Sequence, residues 1–142
     1  MSPPIRRVVT GHNEAGKSIF LMDGAAPHVK SAGTASTTVT ELWETASAPA
    51  DNRGNADPTD HPFRLPPPKN GSVFRVVEYP PDAARVTALR QPDAAQHDAH
   101  AEGYRRDLAN ARHPGFHKTD TIDYAIVLAG EIYALMDEGE VL

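Results

Sequence analysis

One uninterrupted stretch near the C-terminus, residues 113–132, carries polar side chains on a strand-like pattern. Side chains alternate between the two faces of a strand, so every second residue of this stretch shares a surface. The residues that share one surface are His117, Thr119, Thr121 and Asp123. One imidazole, two hydroxyls and one carboxylate therefore converge, which makes these four residues the candidate functional site.

The apolar residues that follow predict a buried hairpin. Residues 126–128 read Ile-Val-Leu, and the Ala-Gly-Glu sequence at 129–131 is typical of a tight turn. The chain would return through residues 132–136 as the second strand. The stretch thus predicts a polar strand end beside a buried hairpin.

Prolines divide the remainder of the chain into short strands and loops. The 142 residues include 13 prolines and 39% hydrophobic residues, which predicts much loop around a compact β core. Residues 46–70 contain Asp-Pro, His-Pro and Pro-Pro-Pro sequences and predict a long extended loop, called the arm below. Residues 92–112, rich in Ala and charged residues, predict one or two short helices. Further strands are predicted at residues 5–10, 17–22, 37–45 and 71–79.

A phosphate-binding pattern occurs near the N-terminus, where Gly11 is followed by Gly16, Lys17 and Ser18. A true P-loop must open a helix, because its phosphates bind at a helix N-terminus. Here the turn sequence Asp-Gly at 23–24 follows after barely one helical turn. The pattern therefore predicts a hairpin, and we expect no nucleotide.

Several histidines precede or enter the polar stretch. His97 and His100 have helical spacing, His113 and His117 follow, and Asp98 is the only additional ligand nearby. Histidine pairs at this spacing can share a zinc ion. The other interpretation is that they are solvated surface side chains, and the sequence leaves both open.

Composition excludes several classes of protein. The chain has no cysteine, so it has no disulfide framework, thiolate metal site or thiol nucleophile. Its net charge of −5 argues against a nucleic-acid surface. The first residues lack the apolar core of a signal peptide, and no apolar run approaches the length of a membrane span. We expect one cytoplasmic domain over residues 1–142, with neither nucleic acid nor membrane as a partner.

The spacing of the polar stretch resembles the first motif of the cupin family. In that motif a His-x-His sequence is followed by a Glu and by a closing Gly. Here His117 and Thr119 take the two His positions, Asp123 takes the Glu position and Gly130 is the closing Gly. Other segments that resemble a subgroup of small single-domain cupins are residues 7–12, 16–18, 40–43 and 74–78.

The resemblance implies an all-β, cupin-like barrel of the jelly-roll type. His117 and Asp123 would be catalytic and would hold a divalent metal, namely Zn, Fe, Mn or Ni. Without a metal, the same two residues would form a proton-transfer pair. As an alternative, the polar side chains would hydrogen-bond one another and close one end of the barrel. The residues expected to bind substrate are Thr119, Thr121, Trp43 and Arg75, although Trp43 also suits a core or rim position.

The second cupin motif, which supplies a further His from the other half of the barrel, does not occur after residue 132. The expectation is a barrel that is incomplete at its C-terminal end, or a fragment. An incomplete barrel would expose an unpaired edge at residues 132–136, and such edges pair with other chains. We therefore expect a homodimer.

Three classes of function remain. The first is an enzyme that binds a small organic molecule in the barrel, as a metal-assisted decarboxylase, isomerase or dioxygenase of small-molecule metabolism. The second is a ligand-binding module without catalysis. The third is an assembly subunit whose barrel is completed by another chain.

Overall fold

Antiparallel strands dominate the computed structural model, which describes residues 3–32, 37–90, 104–105 and 111–142. Within those ranges there is one short helix, and every strand pair is antiparallel. The prediction of an all-β fold is therefore confirmed. The elements are β1 (Arg6–His12), β2 (Ser18–Ala25), β3 (Val29–Ala32), β4 (Thr37–Thr45), β5 (Ser72–Glu78), α1 (Asp82–Leu89), β6 (Tyr104–Arg105), β7 (Lys118–Thr119), β8 (Ala134–Leu135) and β9 (Glu140–Val141). Their sheets are β1-β2, β3-β4-β5, β6-β7 and β8-β9.

The first two strands form the predicted hairpin. The side chain of Asn13 accepts the backbone N–H groups of Ala15 and Lys17, each at 3.0 Å, which fixes the turn. Gly16 takes the left-handed conformation that this turn needs, with φ of 71°. The chain enters β2 at Ser18 and opens no helix there, so the predicted hairpin is confirmed. The turn predicted at residues 23–24 is wrong, because Asp23 and Gly24 lie within β2 and pair with Val8 and Arg7.

The central sheet places β4 between β3 and β5. Its β-branched sequence suits a strand that is covered on both faces, and Val39, Thr40 and Glu41 are all buried. A β-bulge interrupts the pairing: Glu41 lies opposite Arg75, whereas Trp43 lies opposite the adjacent Phe74.

This bulge changes which side chains share a face. Glu41 and Glu44 are three residues apart, so in a regular strand they would point to opposite faces. The extra residue at the bulge, Leu42, brings both carboxylates to the same side of the sheet as Arg75.

The proline-rich arm, residues 46–70, contains neither a strand nor a helix, as predicted. It crosses the central sheet, and Thr59 at its middle has no exposed surface. The helix of the described residues, Asp82–Leu89, was not predicted; it follows Pro80-Pro81 directly, and prolines and an acidic residue are favourable at a helix start. The one or two helices expected over residues 92–112 stay a prediction. Most of residues 92–112 lie outside the described ranges.

The predicted hairpin over residues 126–136 is wrong. Residues 122–128 join no sheet in the described part of the chain, and the pairing is instead Ala134 with Val141 and Leu135 with Glu140. Gly130 and Gly139 both adopt a positive φ, of 77° and 83°, but the paired strands flank Gly139, whose carbonyl accepts the N–H of Met136 at 3.2 Å. The guanidinium of Arg112 also binds the Met136 carbonyl at 2.6 Å and that of Gly139 at 3.0 Å.

Polar residues make up most of the buried interior among the described residues. The buried hydrophobic side chains there are Ala26 and Val39. The buried polar residues are Arg7, Thr37, Thr40, Glu41, Glu44 and Thr59. Buried charges require partners of opposite charge. The buried charged residues Arg7, Glu41 and Glu44 and the residues that pair with them are called the ionic network below.

Among the described residues, no helix has the length and apolar character needed to cross a membrane.

Candidate functional site

The centre of the ionic network is the carboxylate of Glu41, which is 1% exposed. Lys30 of β3 lies 2.8 Å from one carboxylate oxygen, and Arg75 of β5 lies 3.2 Å from the other. The two cations flank β4 from its two neighbouring strands. A buried carboxylate is stable only with such partners, because its lost hydration must be replaced.

Arg75 also fastens the arm to the sheet. Its guanidinium donates to the carbonyls of Leu65 at 3.0 Å and Arg64 at 3.3 Å. Its planar face lies 5.6 Å from the centre of the Phe63 ring. The residue predicted to bind substrate is therefore held by Glu41, two backbone carbonyls and an aromatic ring.

The electrostatic surroundings of Arg75 include the predicted site. Burial lowers the pKa of Arg75, and the carboxylates of Glu41, Glu44 and Asp123 oppose this effect. Asp123 belongs to the C-terminal part of the chain, far from Arg75 in sequence. Its charge nevertheless opposes the lowering of the Arg75 pKa.

A second carboxylate, that of Glu44, binds the arm directly. One oxygen lies 2.8 Å from Nη2 of Arg64, and the other lies 3.0 Å from Nε2 of His61. Lys30 donates to the backbone carbonyl of His61 at 2.6 Å. The two glutamates that the bulge aligns thus hold one segment of the arm over the sheet.

A further ion pair joins the first hairpin to the same arm. Arg7 pairs with Asp57, and its Nη1 also donates to the carbonyl of the bulge residue Leu42 at 3.2 Å. Burial alone would raise the pKa of Asp57, but hydrogen bonds from Arg7 and Thr59 hold that pKa well below its ordinary value. An open groove of about 350 Å³ is lined by Arg7, Met22, Asp23, Gly24, Ala25, Pro27 and Asp57.

Three of the predicted site residues form a hydrogen-bonded series, called the polar row below. The Oγ1 atoms of Thr119 and Thr121 lie 2.8 Å apart, and Oγ1 of Thr121 donates to Oδ1 of Asp123 at 2.9 Å. Alternation along an extended chain predicts this arrangement, and it persists although regular strand pairing ends at Thr119. The polar row presents two hydroxyls and one carboxylate.

The fourth predicted residue, His117, contacts the carbonyl of Gly115 through Nδ1 at 3.0 Å. A carbonyl only accepts hydrogen bonds, so Nδ1 is the donor in this contact and carries a proton. Nε2 is the nitrogen that could accept a proton or ligate a metal. Backbone carbonyls commonly orient metal-binding histidines in this way.

The described residues do not provide a complete set of metal ligands. Among them, no group of three or more His, Cys, Asp or Glu side chains could hold one ion. An open catalytic site normally uses three protein ligands, and His117 with Asp123 supplies two. Of the other histidines considered for zinc, His97 and His100 lie outside the described residues. His113 accepts the N–H of Gly115 at 2.9 Å and lies 3.3 Å from Asp82.

Trp43, the remaining residue predicted to bind substrate, is half-buried in β4. It lies opposite Phe74, and Phe74 points away from the face that carries Arg75, since neighbouring strand residues alternate. The structure therefore does not bring Trp43 and Arg75 together.

Sequence reasoning missed the network residues Lys30, Glu41, Glu44 and His61. Two glutamates within a β-branched strand were the available signal, because carboxylates are rarely buried there without a specific partner. Regular alternation places Glu41 and Glu44 on opposite faces of the strand. Only the bulge explains why both carboxylates lie on the face that the arm covers.

Comparison with known proteins supports the resemblance at the level of the fold. No protein-family model matches the chain. The chain is 26% identical over 144 residues to the cupin-domain-containing oxidoreductase virC of Hypocrea virens (strain Gv29-8 / FGSC 10586). This similarity supports a cupin-like relationship. The alignment covers 98% of this chain and 59% of that relative, so the chain spans less than two thirds of the relative's length. The antiparallel, strand-rich architecture fits the β-sandwich or barrel fold of such a relative.

Proposed function

We propose that this chain is a cupin-like domain that binds a small organic molecule at the polar row, with His117 beside it. The observation that carries the proposal is the hydrogen-bonded series Thr119, Thr121 and Asp123, whose carboxylate acts on the pKa of Arg75. Ordered hydroxyls joined to a carboxylate form a surface that can recognise donors and acceptors on a ligand.

The groups of the polar row limit the class of ligand. In the observed series Thr121 donates to Asp123, so the Thr119 hydroxyl donates to Thr121. A ligand hydroxyl can donate to the Asp123 carboxylate, and a ligand oxygen can accept from Thr119 in place of Thr121. A matching ligand is a small molecule that carries at least one hydroxyl and one carbonyl or carboxylate oxygen. Hydroxy acids, keto acids and hydroxylated aromatics meet this description.

The chemistry that these residues support best is proton transfer. With Nδ1–H held by the Gly115 carbonyl, Nε2 of His117 can take a proton from the bound molecule. Asp123 would bind the substrate hydroxyl. Of the reactions that the cupin resemblance implies, isomerisation requires proton transfer alone. Oxidoreductase chemistry, which the name of the relative virC indicates for that protein, would additionally require an electron acceptor.

Ligand-dependent thermal stabilisation tests the binding proposal. The protein is heated with a panel of hydroxy acids, keto acids and hydroxylated aromatics, and the Tm of the Asp123→Asn variant is compared with that of Asp137→Asn. Asp137 is also an exposed carboxylate, which makes it a matched control. A ligand at 100 times its Kd stabilises the folded state by about 2.7 kcal/mol. We expect the corresponding rise in Tm in the wild type and in Asp137→Asn, and no rise in Tm in Asp123→Asn.

Two results would refute the proposal: no compound in the panel raises the Tm, or a compound raises it equally in both variants. The His117→Ala variant separates binding from chemistry. We expect it to keep the ligand-induced Tm shift and to lose any turnover of that ligand.

A second candidate function, assembly with another chain, is supported by a different observation. Ile122, which lies between two members of the polar row, is 87% exposed, and Tyr124, which follows the row, is 95% exposed. Exposure of this kind marks interaction surfaces rather than solvated loops.

A further inference from the structure

One histidine holds together the turn that leads into the polar row, residues 113–117. Nδ1 of His113 accepts the backbone N–H of Gly115 at 2.9 Å, and the carbonyl of His113 accepts the N–H of Phe116 at 3.0 Å. Asparagine and aspartate side chains commonly bind the backbone two residues later in this way. The two peptide groups that flank Gly115 are therefore both bound to His113.

Helix α1 favours the form of the His113 ring that this turn needs. Nε2 of His113 lies 3.3 Å from a carboxylate oxygen of Asp82, the first residue of α1. A ring nitrogen that accepts a hydrogen bond carries no proton, so the proton of His113 lies on Nε2 and is donated to Asp82. The side chain of His113 is 16% exposed, so most of the ring is shielded from water.

Gly115 is packed too closely for a side chain to fit without displacing its neighbours. A Cβ atom at this position would lie 2.7 Å from Nη2 of Arg85 and 3.1 Å from Nδ1 of His113. The Arg85 guanidinium in turn lies over the ring of Tyr79, 5.0 Å from its centre. Helix α1 therefore supports the turn at Gly115 as well as at His113.

The same turn determines the direction of the hydrogen bond to His117. The carbonyl of Gly115, which accepts from Nδ1 of His117 at 3.0 Å, belongs to the peptide group whose N–H binds the His113 carbonyl. The hydrogen bonds of an imidazole decide which of its nitrogens carries the proton. In a solvated neutral histidine the proton prefers Nε2, so a carbonyl fixed at Nδ1 selects the less common form.

We infer that His113 is a positioning residue for His117 and acts through the backbone of Gly115. It keeps the proton of His117 on Nδ1, so that Nε2 is the unprotonated nitrogen whenever the ring is neutral. The use of that nitrogen in proton transfer rests on the proposed function. The position of the proton rests only on the contacts of the turn.

NMR locates the protons of both rings directly. Long-range 1H–15N spectra of the 15N-labelled wild type distinguish the two neutral forms of each histidine at a pH of about 8, where most histidines are neutral. We expect opposite forms in the two rings, with the proton on Nε2 in His113 and on Nδ1 in His117. A proton on Nδ1 of His113, or on Nε2 of His117, would overturn the inference.

Two substitutions of His113 separate the backbone contact from simple packing. His113→Asn keeps a side-chain oxygen that can accept the Gly115 N–H, whereas His113→Leu keeps bulk and loses the acceptor. We expect His117 to keep its proton on Nδ1 in His113→Asn, and the ratio of its two forms to invert in His113→Leu. His12→Leu, in β1, is the matched control and should leave His117 unchanged.

An unchanged ratio in His113→Leu would overturn the inference, and so would an inverted ratio in His113→Asn or in the control. These spectra contain no ligand, so failure of the binding proposal would leave the expected result unchanged. A ligand that binds at the polar row while His117 carries its proton on Nε2 would overturn this inference alone.

Discussion

Glu41 and Arg75 face each other across the central sheet, with Nη2 of the guanidinium 3.2 Å from Oε1 of the carboxylate. The pair connects the central sheet to the arm, because Arg75 lies in β5 and also binds two backbone carbonyls of the arm. Charged side chains, which are usually solvated, therefore hold the strands and the arm together in the interior.

Removing the charge of Glu41 should strongly destabilise the fold. The Glu41→Gln variant removes the carboxylate that pairs directly with Lys30 and Arg75, and both cations are mostly buried. Breaking a buried pair in this way costs about 3–5 kcal/mol. Urea unfolding measures the loss, and Glu14→Gln in the exposed hairpin turn is the matched control. A loss for Glu41→Gln no larger than that of the control would contradict the proposed network.

Two adjacent arginines provide a comparison of buried and exposed ion pairs. Arg7 pairs with Asp57 in the interior, whereas Arg6 pairs with Asp23 at side-chain exposures of 71% and 48%. We expect Arg7→Met to cost about 3–5 kcal/mol, because Asp57 loses its cation. Arg6→Met should cost less than about 1 kcal/mol, since solvent screens the pair. Equal free energies of unfolding for the two variants would disprove this difference.

Acid should destabilise the protein through Asp57. The folded state holds the pKa of Asp57 below its unfolded value, so the carboxylate contributes stability above the unfolded pKa of about 4. That contribution is lost as the pH falls from this value toward the folded pKa. Tm measured between pH 7 and pH 3 should fall less steeply for Asp57→Asn than for wild type. Asp137→Asn should retain the wild-type slope, and a wild-type slope in Asp57→Asn would exclude this cause.

Glu44 should control protection of the arm against proteolysis. Its carboxylate binds Arg64 and His61, and Arg64 is a trypsin site within the arm. Hydrogen bonds to charged groups contribute about 1.5–3 kcal/mol, so Glu44→Gln should accelerate cleavage after Arg64 by roughly tenfold or more. Cleavage after Arg53 is an internal control, because that side chain is 88% exposed. If both sites are cut faster to the same degree, the variant has unfolded globally and Glu44 has no specific role.

Local sequence signals predicted the parts of the fold that local chemistry determines. Strands β1, β2, β4 and β5 follow β-branched runs between turn residues, and the arm follows its prolines. The polar row follows from alternation over Thr119 to Asp123. The bulge at Leu42 could not be predicted, because an extra residue in one strand depends on its pairing with the next strand.

The ionic network and the last hairpin depend on contacts between distant residues. Lys30 and Arg75 come from opposite edges of the sheet and meet at Glu41 only after the sheet has formed. The turn at Gly139 is held by Arg112, which lies 27 residues earlier in the chain. The apolar sequence at 126–136 predicted an earlier hairpin because its local propensity is strong, and those distant contacts outweigh it.

The central claim is that a small organic molecule binds at the polar row. The most direct test is a titration of 15N-labelled protein with the panel compound that raises the Tm most, followed by amide and Arg Nε–H chemical shifts. We predict that the largest shift changes fall on Thr119, Thr121, Asp123 and the Arg75 side chain, and that Asp123→Asn abolishes them. Changes confined to the groove beside Arg7 and Asp57, or changes that persist in Asp123→Asn, would contradict the claim.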